Sequence, residues 1–162
     1  MSDLHQISAP FIEMAHRIVW CTAATVDTSG QPSTRVLHPI WEFADDRLTG
    51  WVLTMPNSPK AAHLLLRPAM SLTYWAPNHD TCTAECATVW EDSPEQRRAG
   101  WDRFLHGPAP VGYDPSVIPG WSGPDVPSFG VLRLEPRRLR VMAGTVMLQG
   151  QGEVLTWRAA PS

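Results

Sequence analysis

Turn-forming residues interrupt this chain at short intervals, and they limit the length of every helix and strand that it can form. Clusters such as Asp27-Thr28-Ser29-Gly30, Asp45-Asp46 and Pro77-Asn78 separate segments rich in β-branched and aromatic residues. Short segments of that composition are typical of strands joined by hairpins. About eight such strands and three short helices predict a mainly β fold, an antiparallel barrel with helical additions.

The same turn residues set the boundaries of the predicted elements. We predict strands at 19–26, 33–43, 48–54, 69–75 and 81–90, followed by short strands at 129–135, 139–143, 145–148 and 154–157. Helices are expected at three places, each opened by a serine cap: Ser8, Ser58 and the capping box Ser93-Pro94-Glu95-Gln96.

The segment 106–127 is the least regular part of the sequence. It holds six prolines and four glycines, which oppose regular structure. Compact domains keep such long loops mainly where the loop covers a site. We therefore expect 106–127 to be a lid or an interface segment, attached by the apolar side chains of Tyr113, Val117 and Trp121.

Length and charge restrict the class of protein. The chain has 162 residues, so we predict a single domain over 1–162. Its formal net charge of −3 argues against nucleic acid or an anionic membrane as a partner. Its apolar runs are too short to span a bilayer, and its first residues do not resemble a signal peptide. With only three cysteines, the expected location is the cytoplasm.

Lysine occurs once in this sequence, at Lys60. Ser58-Pro59-Lys60 lies at the predicted start of a helix, directly after a strand. Free backbone N–H groups, the positive end of the helix dipole, a hydroxyl and an ammonium together suit a phosphate. If the hairpin brings Arg35 alongside, the site gains a bidentate donor. Spacing alone leaves one alternative open, an ordinary serine cap beside a solvated lysine.

Three motifs follow one another in an informative order. Cys21-Thr22-Ala23-Ala24-Thr25-Val26-Asp27 precedes Thr34-Arg35-Val36-Leu37 in a hairpin. Thr54 with Ser58-Pro59-Lys60 comes next, and Arg67-Pro68-Ala69-Met70-Ser71-Leu72 begins the following strand. In this order the motifs resemble the pyridoxamine 5′-phosphate oxidase-like family of FMN-binding split-barrel proteins. The resemblance extends over most of the chain.

The resemblance implies a homodimer of six-stranded antiparallel split β-barrels, with FMN bound at the interface. By position, Arg35, Ser58 and Lys60 would hold the FMN phosphate. The other positions carried over, which would line the cofactor and its ring, are Val36, Leu37, Leu53 and Thr54. His38, beside Leu37, is either a donor to the flavin or substrate or a half-buried strand histidine.

Members of that family that oxidise vitamin B6 carry cationic residues that this chain lacks. Ile40 stands where the resemblance places a lysine of those enzymes. In the same approximate register, Met142, Leu148, Gly150 and Gly152 stand where they have a tryptophan and an Arg-x-His-x-Arg cluster. The phosphate of a vitamin B6 substrate would find no cation here, so that reaction is not expected.

Three other groups of reactive or aromatic residues are expected to have structural roles. Cys82 and Cys86 lie four residues apart on a predicted strand, too far for one zinc even with His79 nearby, so no metal site is predicted. Cys21 fits a small buried hydrophobe better than a nucleophile. The tryptophans expected in the core or at an interface are Trp20, Trp41, Trp51, Trp75 and Trp90.

The leading functional hypothesis is an FMN-binding oxidoreductase that transfers hydride between its flavin and a small organic substrate. Two alternatives stay open at this point. One is a reductase that uses the deazaflavin F420, and the other is a non-catalytic flavin-binding or stress protein. The sequence identifies no catalytic acid or base.

Overall fold

Eight antiparallel strands and four helices make up the part of the chain that the computed structural model describes, residues 2–160. The predicted domain, 1–162, extends beyond these residues by Met1 at one end and Pro161-Ser162 at the other. The helices are α1 (Leu4–Ile18), α2 (Pro59–Leu66), α3 (Pro94–Leu105) and α4 (Gly144–Gln149). The strands are β1 (Cys21–Val26), β2 (Pro32–Leu37), β3 (Ile40–Ala44), β4 (Arg47–Thr54), β5 (Ala69–Trp75), β6 (Thr81–Trp90), β7 (Gly130–Met142) and β8 (Val154–Arg158).

The strands form one curved sheet in the order β2-β1-β5-β6-β7-β4-β3, with β8 paired to β7. In this order β3 lies four strands from β5, a separation of about 19 Å in a flat sheet. The indole Nε1 of Trp41 on β3 nevertheless donates to the hydroxyl of Tyr74 on β5 at 2.9 Å. The sheet is therefore rolled up, as a barrel requires, and the mainly β antiparallel prediction is confirmed.

The strand count differs from the six implied by the resemblance, and the length of β7 explains part of the difference. The first half of β7 pairs with β4, from Gly130 to Leu134. Its second half, Arg138 to Met142, pairs with β8. A strand of 13 residues thus holds two partners in succession along one edge, and the sheet has eight strands.

One apolar cluster fills the interior of the rolled sheet and is covered by α1. Phe11 of α1 packs edge-to-face on Trp41, with ring centroids 5.0 Å apart. Both side chains are almost completely buried, as are Tyr74 and Leu132. Burying side chains of this size is the main stabilising contribution to the fold.

The first helix begins earlier than predicted. Its N-cap is Asp3, which forms a reciprocal capping box with Gln6. Ser8 lies inside the helix, where its hydroxyl donates to the carbonyl oxygen of Leu4 at 2.6 Å. Pro10 is accommodated within the helix. The prediction that Ser8 caps the helix is therefore wrong, because a stronger cap lies five residues upstream.

The predicted strand 33–43 is divided in the structure. Its first part, β2, pairs with β1, whereas β3 pairs with β4. His38 and Pro39 lie between them outside any strand. Pro39 has no N–H to donate to a ladder, which favours a break at this point.

One of the predicted C-terminal strands, and the boundary between two others, are also wrong. β7 runs without interruption through Pro136, because a bulge opposite Glu85 and Cys86 accommodates the irregular step. Residues 145–148 belong to α4 and not to a strand. The backbone N–H of Gly144 donates to the carboxylate of Asp80 at 2.8 Å, and this fixes the start of the helix.

Most of the remaining predicted elements are confirmed, except that the strand predicted at 19–26 begins at Cys21. The strands predicted at 69–75 and 81–90 match β5 and β6, and that at 48–54 matches β4 with one additional residue. α2 and α3 begin after Ser58 and Ser93 as expected. Within residues 2–160, none of the helices is long and apolar enough to cross a membrane.

Candidate functional site

A cleft of about 390 Å³ opens beside the start of β3. Its lining includes four of the residues predicted to bind the cofactor: Val36, Leu37, His38 and Leu53. β2, which carries Val36 and Leu37, is five strands away from β4, which carries Leu53, in the sheet order. The cleft therefore lies where the two ends of the rolled sheet approach each other.

The segment 106–127 forms one wall of this cleft. It is irregular except for a short 3₁₀ helix, Pro115–Val117, capped by Asp114. The side chains that it contributes to the cleft are Tyr113, Val117, Ile118 and Trp121. Of the three predicted attachment points, Trp121 is 4 % exposed, but Val117 is 68 % exposed and does not anchor the segment.

The wall is held by a second apolar cluster and by one arginine. Val111 and Trp121 are buried against Phe104 and Phe129 in this cluster. Arg97 of α3 donates from Nε to the carbonyl oxygen of Pro124 at 2.9 Å and from Nη2 to that of Val126 at 2.6 Å. These contacts join the far end of the segment to α3, so the wall is packed in place.

The cleft is lined by uncharged groups. His38 lies against Trp20 and Tyr113, with ring centroids 4.8 and 5.2 Å away. Burial lowers the pKa of His38, although a hydrogen bond with the backbone of Val111 opposes this effect. Burial also raises the pKa of Tyr113 to about 12. Both side chains are therefore neutral near pH 7, and the other lining residues are apolar.

A pair of cations lies at the start of α2. Lys60 is only 8 % exposed, and its Nζ donates to the hydroxyl of Ser58 at 2.7 Å. The pKa of Lys60 is lowered by burial and, to a smaller extent, by the positive charge of Arg35. Arg35 itself is partly buried on β2 and donates to the carbonyl oxygen of Ala23 at 3.1 Å. The structure thus brings Arg35 near Ser58 and Lys60, the grouping that the resemblance implied.

Lys60 differs from the other bases in its burial. Within residues 2–160 it is the only base that is buried, and neither it nor Arg35 has a carboxylate within 4.0 Å. Several arginines also form no ion pair there, but they are more exposed than Lys60. A buried ammonium without a counterion is costly, and a second cation nearby increases that cost. An anion supplied from outside would remove it.

Ser58 begins α2 but does not cap it in the usual way. Its hydroxyl donates to the carbonyl oxygen of Met55 at 2.8 Å and accepts from Lys60. The first-turn N–H groups of α2 consequently receive no side-chain cap. The helix is fixed against β1 by a hydrogen bond between Thr25 Oγ1 and His63 Nδ1 at 2.8 Å. A helix start of this kind, flanked by cations, is suited to a phosphate.

Thr54 connects the two parts of the site without lining the cleft. It is buried at the end of β4, paired with Gly130. Leu53 precedes it in the cleft, and the segment that leads to Ser58 follows it. β2 therefore carries both Arg35 and two residues of the cleft, Val36 and Leu37, whereas β4 carries Leu53 and leads to the segment before Lys60.

Two residues of the cleft, Trp20 and Ile118, could not be recognised in the sequence as lining residues. Trp20 was expected in the core or at an interface, but it lies before β1, is 58 % exposed and lines the cleft. Trp75 is also exposed, whereas Trp41 is buried as expected. Ile118 was not identified, because an isoleucine in a proline-rich loop carries no distinctive signal.

The three cysteines belong to the core and not to this site. Cys21, Cys82 and Cys86 are free and buried. Burial raises the pKa of Cys21 to about 12 and raises those of the other two thiols as well. A thiol that stays protonated is a poor nucleophile, which confirms that Cys21 is a buried hydrophobe. In the described part of the chain, no three His, Cys, Asp or Glu side chains are grouped so that they could hold a metal.

Comparison with known proteins identifies the fold. No protein-family model matches the chain, and no curated protein does. Among solved structures, a pyridoxamine 5′-phosphate oxidase-related, FMN-binding protein from Nostoc punctiforme is 19 % identical, with a TM-score of 0.64 over 99 % of this chain and 98 % of that one. A Clostridium acetobutylicum protein related to general stress protein 26 is 12 % identical, with a TM-score of 0.68 over 98 % and 96 % of the two chains. A heme-binding protein from Mycobacterium smegmatis is 15 % identical, with a TM-score of 0.65 over 98 % of this chain and 59 % of that one. The chain therefore has the fold of the pyridoxamine 5′-phosphate oxidase-like split-barrel proteins.

Proposed function

We propose that this protein binds FMN and acts as a flavin-dependent oxidoreductase on a small organic substrate. The observation that carries the proposal is the pair Lys60 and Arg35, two cations close together without a carboxylate partner among residues 2–160. The FMN phosphate would lie between these cations, the hydroxyl of Ser58 and the start of α2. Its ring would lie in the cleft beside Leu37 and Leu53.

The residues present fit both ends of such a ligand. A phosphate monoester carries close to two negative charges at neutral pH, which two cations and a helix start can balance. The flavin ring is planar and uncharged, and the cleft offers apolar and aromatic side chains. β2 carries Arg35 directly before Val36 and Leu37, so one molecule could occupy the two regions together.

The FMN-binding neighbour from Nostoc punctiforme supports this assignment by its fold. Haem is less well served. Its iron needs an axial ligand such as an imidazole or a phenolate, but Nε2 of His38 is buried and burial keeps Tyr113 protonated. Oxidation of vitamin B6 is also disfavoured. Ile40, at the position of the missing lysine, is 1 % exposed in the second apolar cluster.

A homodimer with the cofactor at its interface is part of the proposal. Trp20 and Val36 are 58 % and 63 % exposed at the mouth of the cleft. Large apolar side chains exposed beside a ligand site are typical of a surface that a partner covers. A second copy of the chain would shield both these side chains and the ring.

When bound, FMN supplies the hydride exchange, which is the chemistry of its own ring. The chain binds the phosphate through Lys60 and Arg35 and orients the ring between β2 and β4. The packed wall, through Trp121, restricts access of water. Ionised groups do not line the cleft near pH 7, so within residues 2–160 the chain contributes orientation and burial in preference to proton transfer.

The phosphate assignment is tested with the double variant Lys60→Ala/Arg35→Ala. We expect its affinity for FMN to fall about 100-fold or more, since each charge-assisted hydrogen bond contributes about 1.5–3 kcal/mol. Riboflavin, which lacks the phosphate, should bind the parent and the variant equally. Both affinities are measured by flavin fluorescence titration, with circular dichroism as the check of folding.

Arg158→Ala is the matched control, because it removes an exposed arginine of β8 far along the sheet. It should leave FMN binding unchanged. Unchanged FMN affinity in the double variant would contradict the phosphate site. The absorption spectrum and mass of any flavin released on denaturing the purified protein then distinguish FMN from a deazaflavin.

A further inference from the structure

We propose that the substrate of this cleft is an uncharged, largely apolar ring compound, and that the cleft discriminates against phosphorylated and carboxylated molecules. The inference rests on the proposed function, because it takes the cleft to hold the reacting parts of cofactor and substrate. The lining residues carry it: Trp20, Val36, Leu37, His38, Leu53, Tyr113, Val117, Ile118 and Trp121.

The lining contains no aspartate, glutamate, lysine or arginine. Its polar groups are the hydroxyl of Tyr113, the imidazole of His38 and the indole N–H groups of Trp20 and Trp121, all neutral near pH 7. Nε2 of His38 is buried and makes no hydrogen bond within residues 2–160. An anionic group entering this cleft would lose its hydration without gaining a cation, which is costly.

The wall of the cleft is packed too firmly to bring a charge inward. Trp121 donates from its indole nitrogen to the carbonyl oxygen of Ser128 at 2.9 Å. Its ring packs edge-to-face on Phe129 at 5.2 Å. The guanidinium of Arg97 is held behind the wall by two backbone carbonyl groups. The composition of the lining is therefore a fixed property of the cleft.

The cations that could attract an anion lie elsewhere. Arg35 is next to Val36 in sequence, but neither it nor Lys60 lines the cleft. If the cofactor phosphate neutralises both, no cation of this protomer's site stays available for the substrate. Within one protomer, the substrate must then be recognised by shape, by apolar contact and by a hydrogen bond with Tyr113.

A pair of probes that share one ring system tests this preference. 2-Naphthol is neutral at pH 7 and 2-naphthoate is an anion. We measure the binding of each to the FMN-loaded protein by isothermal titration calorimetry, and we expect 2-naphthol to bind at least about tenfold more tightly. Equal or tighter binding of 2-naphthoate would overturn the inference. So would binding of 2-naphthol to the flavin-free protein alone, because the cleft would then hold only the ring of the cofactor.

Val117→Lys adds a cation to the wall at an exposed position. Affinity for 2-naphthoate should rise about fivefold, while that for 2-naphthol stays within about twofold. Met147→Lys, on the exposed face of α4 and away from the cleft, is the control and should change neither. No gain for 2-naphthoate in Val117→Lys would count against the inference.

The two proposals fail in different ways. If the protein takes up no FMN, the proposed function is wrong and the substrate inference falls with it. If FMN binds and depends on Lys60 and Arg35 but 2-naphthoate is preferred, only the substrate class is wrong.

Discussion

Two buried charges in different elements of the molecule are compensated in opposite ways. Glu91, just after β6, and Lys60, in α2, are each 8 % exposed. Glu91 has a partner in the chain, since its Oε1 lies 2.6 Å from Nε of Arg133 on β7. Arg133 also lies 3.2 Å from Glu135. Lys60 instead faces a second cation.

The difference separates a structural charge from a binding charge. The Glu91–Arg133 pair balances its charges within the chain, although Nε of Arg133 is buried without a well-aligned hydrogen bond. The pair joins the end of β6 to β7, where the backbone N–H of Glu91 also donates to Val131. Lys60 has a hydroxyl as its partner and no carboxylate within the described part of the chain. Completing the first site needs nothing from outside, whereas the second needs an anion.

Breaking the complete pair should give the largest effect on stability. Arg133→Met leaves the carboxylate of Glu91 buried without its cation. Loss of one partner of a buried pair costs about 3–5 kcal/mol, and because Arg133 is 35 % exposed we expect a decrease of about 2–3 kcal/mol. The free energy of unfolding is measured by urea denaturation near pH 7.

The control for this variant is Arg138→Met. Arg138 pairs with Glu85 at 3.3 Å, but both side chains are about half exposed. Such a pair contributes about 0–1 kcal/mol. If the two variants lose equal stability, burial does not distinguish these pairs and the comparison with Lys60 fails.

His16 shows a third way of burying a base, by keeping it neutral. Its Nε2 accepts a hydrogen bond from the backbone N–H of Trp41 at 2.9 Å, which requires that this nitrogen carry no proton. Burial lowers the pKa of His16, and the neighbouring His38 lowers it further, while Glu42 opposes them. The hydrogen bond attaches α1 to the first residues of β3.

This contact predicts a pH-dependent loss of stability of intermediate size. The folded-state pKa of His16 lies below its ordinary value of 6.5. Above about pH 6.5 the contribution of His16 is fully present. As the pH falls below that value the unfolded chain binds the proton first, so stability decreases until the pH passes below the folded-state pKa. We expect a loss on the order of 1 kcal/mol, the contribution of one hydrogen bond.

Thermal unfolding from pH 8 to pH 5 measures this effect. His16→Gln, which keeps an acceptor but does not titrate, should flatten the profile. His106→Gln, at an exposed position after α3, should not. An unchanged profile in His16→Gln would assign the pH dependence to other groups, with His38 as the first candidate because its pKa is also lowered.

The sequence predicted the fold best where local signals agreed with tertiary contacts. β5, β6 and α3 have clear turn residues or capping boxes at their ends, and they were placed correctly. β7 was divided at Pro136 because proline usually ends a strand, and only the bulge against β6 reveals that it does not. The helix at 144–149 was missed because its start depends on Asp80, 64 residues away.

The site residues were likewise predictable where their signals are local and not where they depend on tertiary contacts. Lys60 and Ser58 were found from composition and helix position, since both signals are local. Their approach to Arg35 needs a hairpin and a rolled sheet, and the resemblance supplied that step. The exposed position of Trp20 and the role of Ile118 in the wall could not be predicted, because both depend on how segment 106–127 packs.

The smallest effect on stability is expected for Lys60→Met, and it separates the roles of Lys60 and Glu91 most clearly. Lys60→Met removes a buried cation that lacks a carboxylate partner, together with one hydrogen bond to Ser58. In the flavin-free protein we expect the free energy of unfolding to stay within about 0.5 kcal/mol of the parent or to rise slightly, because the lost hydrogen bond and the relieved burial of charge oppose each other. Urea denaturation without and with FMN measures this, and FMN should stabilise the parent much more than the variant. A loss as large as that of Arg133→Met in the absence of flavin would mean that the fold itself depends on the Lys60 charge. Lys60 would then be a structural residue like Arg133, and the case for an external anion at the start of α2 would be lost.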